Sequence, residues 1–154
     1  MDRTSYLGLV ESTINQQLSE IKMRTGCRLG MDSHADTCCA NEHAYVESIV
    51  EGITVDAVPF DETIGKAEGL PIVHAIYAVD DPVTFATYLV RICNSIYIPH
   101  MKNALLCLNQ ARAFGTTIED TPPEYDDLSR FAIIAADTDN TTFLLQRYGP
   151  TAYL

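Results

Sequence analysis

The chain has 154 residues, 47% of them hydrophobic, and a net charge of −11. That is enough apolar material for one globular domain with a sizeable core, and the charge argues against a nucleic-acid partner, which needs clustered Lys and Arg. No apolar run approaches the roughly 20 residues that span a bilayer, so no membrane partner is expected, and the lack of a signal segment points to a cytoplasmic, reduced protein.

Residues 5–24 place Leu7, Val10, Ile14, Leu18 and Ile21 three and four apart. This spacing predicts a helix with one apolar face, capped by Thr4 or Ser5 and ended by Gly26. Lys22, Arg24 and Arg28 are the nearest approach to a basic cluster, and they fit the end of that helix better than a phosphate site. An N-terminal amphipathic helix is therefore placed at 1–25 and the main domain at 26–154. From residue 26 to about 98 the texture is of short β-rich runs between turn residues. Residues 27–33 read as a strand that carries Asp32 to its end. Residues 45–50 and 53–59 are separated by Glu51-Gly52, read as a tight turn. Residues 60–69, containing Asp61, Glu62, Thr63, Gly65 and Gly69, read as a mobile loop. Residues 70–79 and 83–92 flank the turn signal Asp80-Asp81-Pro82, and 95–98 form a short apolar strand closed by Pro99. Leu105-Leu106 reads as a buried strand, and 108–114 as a short helix ended by Gly115. The acidic, Pro-containing run 119–127 reads as a solvated linker, and 131–136 with 142–148 as a final hairpin. There is no internal repeat.

The run Gly30-Met31-Asp32-Ser33-His34-Ala35-Asp36-Thr37 sets one carboxylate and a hydroxyl at the end of an apolar approach. An aspartic protease needs two such carboxylates sharing one proton, so that one activates water while the other donates. This chain supplies one copy, so a second chain would supply the other. Taken alone, Asp-Ser is also an ordinary turn pair with an Asx hydrogen bond. A second stretch changes the balance: Ile96-Tyr97-Ile98-Pro99, followed by Asn103-Ala104-Leu105-Leu106-Cys107-Leu108-Asn109-Gln110. Together the two stretches resemble the retropepsin-like aspartic protease of copia-type LTR retrotransposon polyproteins. That family carries Asp-Ser-Gly-Ala and a polar pair and, about seventy residues later, Leu-Tyr-Val-Pro and Asn-Leu-Leu-Ser-Val-Ser-Gln-Leu stretches. The resemblance covers roughly residues 26–150 and leaves the N-terminal helix outside it.

The resemblance implies a mostly β, single-lobed retropepsin-like fold, with one short helix after the Leu105-Leu106 strand. It implies a homodimer that cleaves a Gag-Pol-type polyprotein substrate, inside the cell and within retroelement particles, with no cofactor and no metal. Asp32 carries over as the catalytic carboxylate and Ser33 as the hydroxyl interlocking with the partner. His34, Ala35 and Asp36 fall at substrate-contacting positions. A flap between Val55 and Val73 would bring Phe60, Asp61, Thr63, Ile64 and Gly65 over the substrate, which would bind extended through main-chain hydrogen bonds. Leu105 and Leu106 would support the catalytic loop from beneath. Two positions depart from the family pattern. His34 stands where the family has Gly, which permits close backbone approach, and Cys107 stands where it has Gly or Ser. Histidine there narrows the cleft or brings a titrating group beside the dyad, which opens an alternative: a dimerisation and interaction module derived from such a protease but impaired in catalysis.

Other constellations weigh less. His34, Cys38, Cys39 and His43 have zinc-binding chemistry, but lack a Cys-x₂-Cys pair and match no finger spacing. The five cysteines, Cys27, Cys38, Cys39, Cys93 and Cys107, read as small core hydrophobes. Neither Cys93 nor Cys107 has a base nearby in sequence that would make it a nucleophile. His74 reads as a strand residue and His100 as an exposed turn residue. Asp120, Glu124, Asp126 and Asp127 read as a solvated run.

Overall fold

Residues 70–79 alternate Val73, Ala75 and Tyr77 with Ile72, His74 and Ile76, and that alternation builds the centre of the molecule. Val73, Ala75 and Tyr77 are buried, as expected when one face of a strand meets the core. The computed structural model describes residues 28–58, 65–135, 140–148 and 151–154; the helix expected at 5–24 lies outside them. In chain order the described elements are β1 (Leu29–Asp32), β2 (Cys39–Ala40), β3 (Tyr45–Ala57), β4 (Ala67–Asp80), β5 (Thr87–Tyr97), β6 (Ala104–Cys107), α1 (Leu108–Ala113), β7 (Thr117–Glu119), β8 (Ala132–Ile134), β9 (Thr142–Leu144), β10 (Gln146–Tyr148) and β11 (Thr151–Tyr153). The protein is mostly β, and its one described helix directly follows the Leu105-Leu106 strand, as the sequence predicts.

Eight strands form one sheet in the order β10-β11-β1-β6-β2-β5-β4-β3, and β7-β8-β9 form a second. The long strands β3, β4 and β5 run as an antiparallel meander. Two sequence expectations are corrected here. Glu51-Gly52 is not a turn: β3 runs through it, with Gly52 at φ +73 where the register to β4 shifts between Ile49 and Thr54. That is bulge behaviour, which glycine accommodates without steric cost. Residues 95–98 are not a separate strand either, because β5 continues through Asn94, itself at φ +56, as far as Tyr97. The turn at Asp80-Asp81-Pro82 forms as expected. Val83 and Thr84 N–H donate to Asp81 Oδ1 at 2.7 and 3.1 Å, and these bonds hold the Asp81 carboxyl below its usual range.

Strand β1 is flanked on both sides. It pairs parallel with β6, in the register Gly30↔Leu105, Met31↔Leu106 and Asp32↔Cys107, and antiparallel with β11 at Gly30↔Tyr153. Leu29 and Leu154 exchange backbone bonds of 3.4 and 3.0 Å. The two sheets share one core, in which Leu29, Ile92, Leu106 and Leu108 from the large sheet and α1 meet Ile118, Phe131 and Ile133 of the small sheet and its flank. Tyr88 meets Phe143 edge-on, ring centroids 5.3 Å apart, a geometry that suits the ring quadrupoles. The expected final hairpin forms only in its first part, as β8 and β9: the run 142–148 breaks at Leu145, and β10 leaves for the large sheet, where it pairs with β11. The run 119–127 begins in strand, because Glu119 closes β7, and Arg130 folds back to give Glu119 both its backbone N–H and its guanidinium.

Candidate active site

Asp32 ends β1, next to the point where β6 gives way to α1. The carboxylate is half-buried, while Ser33, His34 and Asp36 are exposed. Its Oδ1 accepts the His34 N–H at 2.8 Å, an Asx-type bond that fixes the carboxylate against its own loop. The Ser33 hydroxyl lies 3.1 Å from His34 Nδ1. The half-buried carboxylate is thus tied to the backbone of a turn whose exposed Ser33 and His34 side chains meet each other. Ala35 turns inward and packs against the core.

Below the loop, Leu105 and Leu106 pair with the strand that delivers Asp32, and Leu106 is buried. Cys107 is fully buried, at 0% exposure. Its thiol donates to Ala35 O at 2.9 Å and accepts the Gln110 N–H at 3.3 Å, so it ties down the loop and caps α1 at once. A glycine could do neither.

Cys38 and Cys39 are not activated thiols. Burial pushes the Cys38 thiol up to about 11, and burial followed by the Asp32 charge raises Cys39 as well. Both are therefore neutral thiols near pH 7. Cys38 Sγ instead accepts the Cys107 N–H at 3.2 Å. Among the described residues no three His, Cys, Asp or Glu side chains are placed to hold a metal ion, and the His34, Cys38, Cys39 and His43 set gathers no centre.

The hairpin of β3 and β4 projects as a long ribbon whose last described pair is Ala57↔Ala67. Asp56 holds its far end: its Oδ1 accepts the Gly69 N–H at 3.0 Å and its Oδ2 pairs with Lys66 at 3.0 Å. Those bonds draw the Asp56 carboxyl below its usual range, the Gly69 donor contributing most. Of the five residues expected at the ribbon tip, Gly65 is exposed, and Phe60, Asp61, Thr63 and Ile64 lie outside the described residues. Strand β3 is at the edge of the large sheet and leaves Ile49 and Ile53 more than half exposed, with Val58 just beyond it.

A cavity of about 370 Å³ opens behind the loop, between β5, α1 and the small sheet, with Cys38, Ile92, Leu106, Phe114 and Phe143 in its wall. Asp32 does not line it, so its apolar space is separate from the carboxylate chemistry. Sequence reasoning missed Asn41, which is fully buried and bonded to Tyr77, His43 and Met101. It also left Asn109 and Gln110 without a role, although both stand in the motif that carried the resemblance. Their position, one and two residues into a helix entered straight from a buried strand, was the available signal. No helix among the described residues is long and apolar enough to cross a membrane. No protein-family model matches the chain, and no curated protein or solved structure matches it.

Proposed function

We propose that this chain is one half of a homodimeric, retropepsin-like aspartic endopeptidase that matures the polyprotein of a copia-type retroelement inside the cell. The observation that carries the reading is the setting of Asp32: a half-buried carboxylate at the end of β1, held by the His34 N–H and backed by the β6–α1 junction. In this reading the β3–β4 ribbon, with exposed Ile49, Ile53 and Val58, serves as lid and edge for an extended peptide.

In the dimer each chain contributes Asp32 across a two-fold axis, which a site shared by identical chains requires. The ionised carboxylate takes a proton from a water molecule held between the two. The water oxygen bonds to the scissile carbonyl carbon while the protonated carboxyl donates to the carbonyl oxygen. As the tetrahedral intermediate collapses, the first carboxyl passes the proton taken from water to the leaving nitrogen, the C–N bond breaks, and a hydroxyl of the intermediate returns a proton to the second carboxylate, restoring the pair. The test is cleavage of a peptide library between about pH 4 and 6, where a carboxyl pair can share one proton. Cleavage abolished by Asp32→Asn and by a pepstatin-type inhibitor supports the reading; cleavage that survives Asp32→Asn removes it.

A second reading rests on His34. With Ser33 Oγ within 3.1 Å of His34 Nδ1, the hydroxyl that should interlock with the partner is engaged within its own chain. In that reading the chain is a dimerisation module without peptidase activity. Dimers that cleave nothing with His34 present, and gain cleavage in His34→Gly, would favour it.

A further inference from the structure

One peptide group governs the orientation of Asp32. The His34 N–H donates to Asp32 Oδ1 at 2.8 Å, and the carbonyl of that same peptide is Ser33 O. A trans peptide is planar, so its N–H and C=O point in opposite directions and turn together. Whatever grips Ser33 O therefore aims the donor at the carboxylate. Ser33 O accepts from Asn109 Nδ2 at 3.4 Å. Two residues on, Ala35 O accepts from the Cys107 thiol at 2.9 Å. Further along, the Cys38 N–H donates to Gln110 Oε1 at 2.8 Å. Gln110 is anchored in its turn, with Nε2 donating to Cys93 O at 3.4 Å and Asn94 O at 3.5 Å. Three side chains at the start of α1 thus grip the loop at residues 33, 35 and 38, and the junction they stand on is already in register with Asp32 through Cys107.

We infer that Asn109, Cys107 and Gln110 are positioning residues for Asp32, acting on its carboxylate through the Ser33–His34 peptide and the loop that follows, without touching substrate. The inference rests on the protease reading above. Asn109 is the sharpest probe because it is exposed, so its loss perturbs the fold little while releasing the peptide that donates to Asp32. A reacting group misplaced by about 1 Å can lose on the order of 10²-fold in rate. The long Asn109 contact places its own share nearer ten-fold.

The test uses the full chain, isotopically labelled, with the His34 amide proton followed by NMR and peptide cleavage measured on the same samples. Asn109→Ala should move the His34 amide proton upfield, lower kcat about ten-fold and leave KM within about two-fold, with Tm within about 2 °C of the parent. Cys107→Ala should lower kcat in the same way, and Cys107→Ser, which restores both a donor and a helix cap, should recover most of that loss. An unmoved His34 resonance in Asn109→Ala, a loss carried by KM alone, or no recovery with Cys107→Ser would overturn the inference. A His34 resonance that moves in a chain with no peptidase activity in any form would keep the grip on the loop and reject both the catalytic role and the protease reading.

Discussion

Replacing Asn41 by Ala should destabilise the protein more than any surface change to its loops. Asn41 is fully buried, and its side chain serves three elements at once. Nδ2 donates to Met101 O at 3.0 Å, while Oδ1 accepts the His43 N–H at 3.2 Å and the Tyr77 hydroxyl at 3.3 Å. Alanine withdraws both atoms. The Met101 carbonyl and the His43 N–H each lose a bond in a partly buried setting, for about 1 kcal/mol apiece, and the hydroxyl of Tyr77 loses an acceptor deep in the core for about another 1–2. The total is about 3–4 kcal/mol, a large part of the 5–15 kcal/mol that holds a typical domain together. Tyr77→Phe removes the shared bond and also the acceptor of the buried Asn41 N–H at 3.1 Å, and should cost about 2–3 kcal/mol. Because the two substitutions delete one common bond, the double variant should fall short of their sum by about 1 kcal/mol. Urea unfolding followed by far-UV circular dichroism measures all three, with unchanged slopes showing that the denatured state is comparable. A cost below about 1 kcal/mol for Asn41→Ala, or strict additivity in the cycle, would refute this account of the network.

Three further outcomes are expected. Ser95 is 1% exposed and its hydroxyl is the one buried side-chain polar atom without a hydrogen-bond partner among the described residues, so Ser95→Ala should raise stability by about 1 kcal/mol in the same urea assay, and a loss of stability would show the hydroxyl to be satisfied. The Arg130 guanidinium and then its backbone N–H hold the Glu119 carboxyl below its ordinary 4.5; a depressed folded-state value gives stability that is complete above the unfolded value and lost as pH falls through the folded one. Tm should therefore drop on acidification below about 4.5 by less in Glu119→Gln than in the parent, and equal slopes would contradict this. Finally, on the dimeric protease reading proposed above, mixing equal amounts of the wild-type chain and Asp32→Asn through an unfolding and refolding step should leave about one quarter of the activity of the all-wild-type sample, since only one dimer in four keeps both carboxylates; about one half would mean that each chain works alone.

Much of this fold was legible where a local pattern is decisive. Asp32 at the end of an apolar run, the buried Leu105-Leu106 pair and the helix stopped by Gly115 (φ +87) each follow from a few neighbouring residues. The misreadings share a physical cause. Gly52 and Asn94 carry the composition of turns, yet the pairing of β4 with β3 and β5 holds the chain extended on both sides of each and absorbs them as irregularities. Thr117–Glu119 is a strand only because β8 lies beside it, a partner arriving from beyond the acidic loop. The candidate site divides in the same way. Its carboxylate stands out in the sequence, but the residues that hold its loop do not. A thiol as cap and loop tie, or a buried Asn joining three segments, has no periodicity to betray it.

The pairing of β1 has a consequence for timing. The strand that presents Asp32 takes one neighbour from Ala104–Cys107 and the other from Thr151–Tyr153, with Leu154 bonded back to Leu29. Contacts such as that of Cys107 with Ala35 close a sequence separation of 72 residues, and folds built on distant pairings form slowly. A ribosome that has released Asp32 has released none of the chain that must flank it. The carboxylate can reach its working geometry only after residue 154 has emerged. On the protease reading proposed above, a growing polyprotein would carry its cleavage activity in a latent state until the whole domain, and then a second copy of it, is free to assemble.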